Sequence, residues 1–185
     1  EPVLVPSGVY KGQMVYGDVT HGGIKRLFLE KVGGRYQGAI FRFTQGLEAG
    51  VNRLVWGPDG ALYVGGIGSN GNWNHMNKRF GLQRLVPNKQ STFEMLKVEA
   101  RKTGFKVTFT EPVKNGKLLE FRRWRYNITE NYGGPKVDQM VIPFTEKWSA
   151  DRRSVEIVAS DFKPGYVYYF RFNCVNKADK PLLST

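Results

Sequence analysis

The chain has 185 residues, with 28 lysines and arginines, 16 aspartates and glutamates, and one cysteine. That length is enough for one large domain or for two small ones with buried cores. No apolar run reaches the roughly 18 residues of a transmembrane helix, and the single Cys174 excludes an intramolecular disulfide.

Positive charge is spread along the chain rather than gathered in one region. Residues 1–88 carry 10 basic and 5 acidic side chains, and residues 89–185 carry 18 and 11, which together give the net charge of +12. A dispersed excess does not favour a nucleic-acid-binding protein, although it fits a general attraction to acidic polymers or surfaces.

Short segments with the composition of β-strands follow one another along the chain, whereas helical periodicity is weak. We expect one turn of helix at most, over Lys136–Val141, and long loops over Gly68–Lys78 and Glu130–Gly134. The predicted strands are Gln13–Val19, Arg26–Val32, Tyr36–Phe43, Asn52–Trp56, Ala61–Gly65, Leu82–Val86, Met95–Arg101, Gly104–Phe109, Phe121–Asn127, Ser154–Ala159 and Val167–Val175.

Two of the predicted strand pairs are joined by tight-turn sequences. Gly33 and Gly34 permit the turn types that need a positive φ, and Gly57–Gly60 (Gly-Pro-Asp-Gly) has Pro and Gly at the positions a tight turn prefers. Asp59 is expected to bond its own backbone as an Asx turn. These turns predict antiparallel hairpins.

Glycine divides the chain into two regions, because 17 of its 22 glycines precede residue 89. We place a boundary near Pro87–Ser91. Residues 91–185 contain longer, more aromatic strands, which predict a small immunoglobulin-like β-sandwich of about seven strands. Cys174 lies in an aromatic strand there and is expected to be a buried structural thiol.

Amide side chains and one indole crowd the loop after the second hairpin, at Asn70, Asn72, Trp73, Asn74 and His75. Amides can both donate hydrogen bonds to sugar hydroxyls and accept them, and an indole can stack on a sugar ring. The loop is therefore a candidate carbohydrate-binding site. The alternative is a loop whose amides bond its own backbone.

Basic and aromatic residues interleave in the segment Arg122, Arg123, Trp124, Arg125 and Tyr126. Such interleaving is found in proteins that bind single-stranded nucleic acids. The favoured interpretation is a strand with Phe121, Arg123 and Arg125 on one face, whose arginine stems cover aromatic rings. Binding of an anionic polymer through this segment is the alternative.

Residue patterns for catalysis and metal binding are weak throughout the sequence. His21 is expected to be a turn residue rather than a general base, and the aspartates are scattered. Neither a nucleophile motif nor a metal-ligand spacing occurs. The sequence therefore predicts no catalytic residue and no metal site.

The first half of the chain resembles the last blades of glucose/sorbosone dehydrogenase propellers, which use pyrroloquinoline quinone (PQQ). The resemblance is carried by Gly46–Leu54, Trp56–Val64 and Phe80–Leu85. Arg123–Tyr126 and Tyr132–Pro135 are similar to a pattern of bacterial secreted proteins in which a sandwich domain follows such a propeller. The resemblance implies an all-β fold, with a partial propeller-like antiparallel sheet in residues 1–88, a β-sandwich in residues 91–185, and a periplasmic or extracellular location.

The resemblance also bounds the function. A propeller needs at least about four blades of four strands, and residues 1–88 supply about two at most. No cofactor residue is therefore carried over, and PQQ is expected only in a longer protein. We expect a non-catalytic carbohydrate-binding or assembly module, whose partners are a carbohydrate, the remaining blades, or further copies across open sheet edges. The alternative is a C-terminal fragment of a quinone-dependent sugar oxidoreductase.

Overall fold

The computed structural model describes residues 1–68, 75–88, 90, 92–130 and 133–183. This described part of the chain is all-β, as predicted, and contains no helix. Its strands are β1 (Val3–Leu4), β2 (Met14–Asp18), β3 (Gly23–Val32), β4 (Arg35–Thr44), β5 (Gly50–Trp56), β6 (Leu62–Ile67), β7 (Phe80–Leu85), β8 (Met95–Arg101), β9 (Gly104–Phe109), β10 (Val113–Tyr126), β11 (Lys136–Val141), β12 (Phe144–Trp148), β13 (Ser154–Ala159) and β14 (Val167–Asn176).

Both predicted tight turns are confirmed. Gly33 and Gly34 join β3 to β4 with φ of 56° and 81°, the backbone that the hairpin requires. Between β5 and β6, the amide of Gly60 donates to the carbonyl of Gly57 at 3.0 Å. Asp59 Oδ1 accepts the amide of Ala61 at 3.1 Å, which is the expected Asx bond.

The helical turn predicted over Lys136–Val141 is wrong, because this segment forms strand β11. It pairs with β10, with Arg123 opposite Met140 and Arg125 opposite Val137. Three residue steps in β11 thus match two in β10, and the extra residue lies near Asp138, whose φ is 54°. This bulge gives apolar positions a three-residue spacing that imitates a helix in the sequence.

Unit 1 (Glu1–Ser91) contains two antiparallel sheets whose strands follow chain order, β1-β2-β3-β4 and β5-β6-β7. The facing sides of the two sheets enclose one apolar core. Close approach of β2 to β5 depends on Gly17, where a Cβ would lie 2.4 Å from the carbonyl oxygen of Val51. The buried core residues are Val5, Val15, Ile24, Leu47, Val51, Leu54, Leu62 and Val64.

Unit 2 (Thr92–Ser184) also contains two antiparallel sheets, ordered β12-β13-β9-β8 and β11-β10-β14. The chain passes between the sheets after β9, β11 and β13, which makes this unit a β-sandwich. Its core is aromatic: Phe121 stacks on Phe170 with ring centroids 4.9 Å apart, and Phe109 stacks on Trp148 at 5.7 Å. Phe121 belongs to β10, the longest described strand, and anchors it inside the sandwich.

Candidate functional site

The loop predicted to bind carbohydrate lies mostly outside the described residues. Asn70, Asn72, Trp73 and Asn74 are all outside them, and only His75 is described. Carbohydrate binding by this loop therefore stays a prediction.

The His75 imidazole packs on the turn between β2 and β3. A Cβ built on Gly22 would lie only 2.1 Å from Cδ2 and 2.2 Å from Nε2 of His75. Because His21 precedes Gly22, the fold brings the two histidines of the chain to one turn. Sequence reasoning did not find this proximity, since more than fifty residues separate the two histidines.

Asp18 organises that turn. Its Oδ1 accepts the backbone amides of Thr20 and His21, each at 3.1 Å. Its Oδ2 lies 2.9 Å from Nζ of Lys25 and 3.1 Å from Nδ1 of His21. Burial alone would raise the pKa of Asp18, but the hydrogen bonds from Lys25 and from the His21 amide outweigh it and hold the pKa below its ordinary value.

The Asp18 carboxylate also orients the His21 ring. Contact through Nδ1 leaves Nε2 directed away from the carboxylate, and the His21 side chain is 68% exposed. Within the described ranges, no group of three or more His, Cys, Asp or Glu side chains could hold a metal ion. The observed role of this cluster is to fix the β2–β3 turn on which His75 packs.

The basic and aromatic segment lies at the end of β10, so the strand interpretation is confirmed. Arg123 points into unit 2 on the same side as Phe121 and is only 5% exposed. Its Nη2 lies 2.6 Å from Oδ2 of Asp161, and its guanidinium lies 4.7 Å from the ring centre of Tyr166. Arg123 therefore serves the packing of the sandwich.

The other residues of this segment lie at the end of β10, the middle strand of its sheet, and differ in exposure. Arg122 Nε is 3.0 Å from a Glu120 oxygen, and Arg125 forms an ion pair with Asp138. Trp124 is 8% exposed, with Lys136 Nζ 4.1 Å from its ring centre, and Tyr126 is exposed. All three arginines thus have a carboxylate partner, which reduces the charge that a polyanion would meet.

An apolar row crosses the outer side of the β1–β4 sheet. The strand register places Leu4 opposite Met14, Met14 opposite Leu27, and Leu27 opposite Ile40. Both ends of this row are exposed to solvent: Leu4 is 58% exposed and Ile40 is 60% exposed. With Leu29, which is two residues further along β3, we call these residues the β1–β4 outer face.

A second apolar surface covers the outer side of the β5–β7 sheet. Ile67 pairs with Phe80, and Leu82 lies two residues along the edge strand β7. Phe80 is 80% exposed, Leu82 is 76% exposed and Val55 is 61% exposed. We call Val55, Ile67, Phe80 and Leu82 the β5–β7 outer face.

Sequence reasoning missed both outer faces, although a signal was present for the β1–β4 outer face. The run Arg26–Leu29 has large side chains on both sides of its strand, a pattern typical of strands covered on both faces. Alternation identifies which residues share a face, but it does not identify the face that the chain itself covers.

Comparison of the chain with protein-family models, with curated proteins and with solved structures found no match. The resemblance to sugar dehydrogenase propellers therefore stays a prediction. In the described part of the chain, no helix is long and apolar enough to cross a membrane.

Proposed function

We propose that this chain is a non-catalytic assembly module in which unit 1 of one copy stacks on unit 1 of the next. The β1–β4 outer face of one copy packs on the β5–β7 outer face of its neighbour. The observation that carries this proposal is the pair of exposed apolar surfaces on the two sheets of one unit. Contiguous exposed apolar surface in a soluble protein marks an interaction site.

The packing inside unit 1 supports sheet stacking as the mode of assembly. There, the inner face of β1–β4 already covers the inner face of β5–β7 through Val15, Ile24, Val51 and Val64. Stacking of copies repeats the same kind of contact with the outer faces. Because the two faces differ, the contact is head-to-tail, and it closes into a ring when the rotation between copies permits.

Part of the positive charge on the two outer faces is paired within its own sheet, although the net charge of the chain is +12. Lys25, on the outer side of β3, lies 2.9 Å from a carboxylate oxygen of Asp18. Arg84, on the outer side of β7, lies 2.7 Å from a carboxylate oxygen of Asp59. These two cations are paired within their own sheets. Arg42, opposite Lys25 on β4, and Arg53, on β5, are also exposed on the outer faces, so the stacking requires them to remain in contact with solvent.

The stacking of meander sheets also agrees with the predicted relation to propeller blades, in which successive sheets pack face to face. A catalytic function would need groups from further blades. Carbohydrate binding by the loop that contains His75 stays a hypothesis, because one described residue cannot define a sugar site.

Two single charge substitutions test the stacking. Ile40→Glu places a charge on the β1–β4 outer face, and Phe80→Glu places one on the β5–β7 outer face. Burial of such a side chain contributes about 1.5–3 kcal/mol, so each variant should associate at least ~10-fold more weakly than wild type. Ile128→Glu is the matched control, because Ile128 is 97% exposed and lies outside both faces.

Light scattering and sedimentation measure the outcome. We expect oligomers of the 21.0 kDa chain for wild type and Ile128→Glu, and monomers for each outer-face variant alone. An equimolar mixture of Ile40→Glu and Phe80→Glu should form a 1:1 dimer, because each variant retains the face that the other lacks. A monomeric wild type, or variants that associate as wild type does, would overturn the proposal. Self-association of one variant alone would replace head-to-tail stacking with a symmetric contact.

A further inference from the structure

Strand β14 forms one edge of the β11-β10-β14 sheet of unit 2. The residues that follow β14 turn back and pair with the end of that edge. After β14, a turn is closed by the amide of Asn176, which donates to the carbonyl of Lys180 at 3.0 Å. Pro181 then forms a bridge with Val175, and the amide of Leu182 donates to the carbonyl of Cys174 at 2.9 Å. The returning segment therefore runs antiparallel to β14.

The same segment reaches the strand edge of the other sheet. The amide of Leu183 donates to the carbonyl of Phe93 at 3.0 Å, just before β8 begins. A short extended segment thus lies between β14 and the start of β8. Among the described residues, this segment pairs with only the last part of β14. The rest of β14, Val167–Asn173, pairs with β10 on one side and with no described strand on the other.

The side chains on the inner side of that open stretch belong to the aromatic core but are incompletely covered. Phe170 stacks on Phe121, and Phe172 contacts Phe109 edge to face at 5.5 Å. Phe121 and Phe109 are at most 1% exposed, whereas Tyr168, Phe170 and Phe172 are only half-buried. An open strand edge with an apolar floor therefore lies beside β14; we call it the β14 groove.

We infer that the β14 groove binds an extended strand of a second polypeptide, which pairs antiparallel with Val167–Asn173, beside the part of β14 that Pro181 and Leu182 occupy. Backbone groups of β14 supply the hydrogen bonds, and the half-buried rings take alternate apolar side chains of the bound strand. Pro181 and Leu182, which already pair with this edge in an extended conformation, indicate that the occupant is a strand rather than a helix.

The charge of the chain selects among such strands. With a net charge of +12, the protein attracts acidic segments over basic ones. Arg171, on the outward side of β14, is 58% exposed but lies 3.1 Å from a Glu120 oxygen, so the preference for acidic segments follows from the net charge and not from this residue. We therefore specify the partner as an extended segment with apolar residues at alternate positions and acidic residues between them.

A labelled peptide of about seven residues, alternating valine and aspartate, is the probe. Fluorescence anisotropy measures its binding to the 185-residue chain. One control peptide has the same composition with the valines contiguous, and another carries N-methyl groups on alternate amides. We expect saturable binding of the first peptide and at least ~10-fold weaker binding of both controls. The peptide with contiguous valines cannot place them all on the side that faces the rings, and the N-methylated peptide cannot donate backbone hydrogen bonds to β14.

Hydrogen exchange locates the bound peptide. Protection should increase at amides of Val167–Asn173 and remain unchanged at the edge strands β7 and β11. Binding of all three peptides with equal affinity would show charge attraction alone and overturn the inference. Absence of binding, or protection at another edge, would also overturn it. If the outward amides of Val167–Asn173 are already protected without peptide, the chain itself closes this edge and the second polypeptide is excluded.

Discussion

Replacing Gly22 with alanine tests whether His75 is held on the β2–β3 turn. Gly22 has φ of +57°, and the position of an added Cβ lies 2.1 Å from the His75 ring. Gly33 is a matched control, because its φ is +56° and nothing lies within 4 Å of its Cβ position. Both substitutions therefore strain the backbone equally, but only Gly22→Ala displaces the imidazole.

The size of the effect follows from this comparison. Positive φ costs an alanine about 1 kcal/mol, so Gly33→Ala should lower the free energy of unfolding of unit 1 by about that amount. Gly22→Ala should cost the same strain and, in addition, the contact of the half-buried His75 ring, about 1 kcal/mol more. The additional loss should equal the cost of His75→Ala alone.

A double-mutant cycle measured by hydrogen exchange of β2 and β3 amides in urea isolates that contact. In the His75→Ala background, Gly22→Ala should cost no more than Gly33→Ala does. Equal costs for the two glycine substitutions in the wild-type background would refute the placement of His75. Full additivity of Gly22→Ala and His75→Ala would refute it as well.

Three further predictions concern named charged or titratable groups. Folding lowers the pKa of Asp18, so its carboxylate stabilises unit 1 at pH values above its ordinary pKa of 3.8, and this stability is lost as the pH falls through the folded-state pKa. In Asp18→Asn, the free energy of unfolding should therefore depend less steeply on pH in the acid range. Arg123→Ala should destabilise unit 2 by about 2 kcal/mol, since it removes a buried partner of Asp161. Arg125 is exposed, so Arg125→Ala should leave the urea midpoint of unit 2 unchanged. If Arg123→Ala and Arg125→Ala lowered the midpoint equally, the inward position of Arg123 would be contradicted. Burial raises the pKa of Cys174 to about 11, so iodoacetamide should label the native thiol far more slowly than the urea-unfolded one, and rapid native labelling would contradict its burial.

Local sequence signals predicted much of the fold because hairpins depend on neighbouring residues. Met95–Arg101, Gly104–Phe109 and Ser154–Ala159 have the predicted bounds, since each shows a short strand pattern between turn residues. By contrast, β10 begins at Val113, well before the predicted Phe121. Its polar start, Lys114–Lys117, gives no strand signal, and pairing with β14 stabilises it instead.

The features proposed for function depend on distant contacts that local patterns do not contain. The packing of His75 on Gly22 joins two turns from separate parts of the chain. The row from Leu4 to Ile40 exists only once four strands have a fixed register. A sequence pattern can identify an apolar strand face, but whether that face is buried or exposed depends on which sheet packs against it.

The edges of unit 2 differ in a way that distinguishes the β14 groove from an ordinary sheet edge. Soluble proteins protect edges with charges or bulges against unwanted pairing. The edge strand β8 carries the ion pair of Lys97 with Glu99, β12 carries Glu146 and Lys147, and β11 contains the bulge near Asp138. The edge strand β14 instead alternates half-buried rings with an exposed arginine over its open stretch. What distinguishes β14 is therefore the incompletely covered row of rings on its inner side, since Arg171 gives its outward side the same kind of charge that the other edges carry. Such a row beside an open strand edge is better explained by a partner strand than by tolerance of exposure.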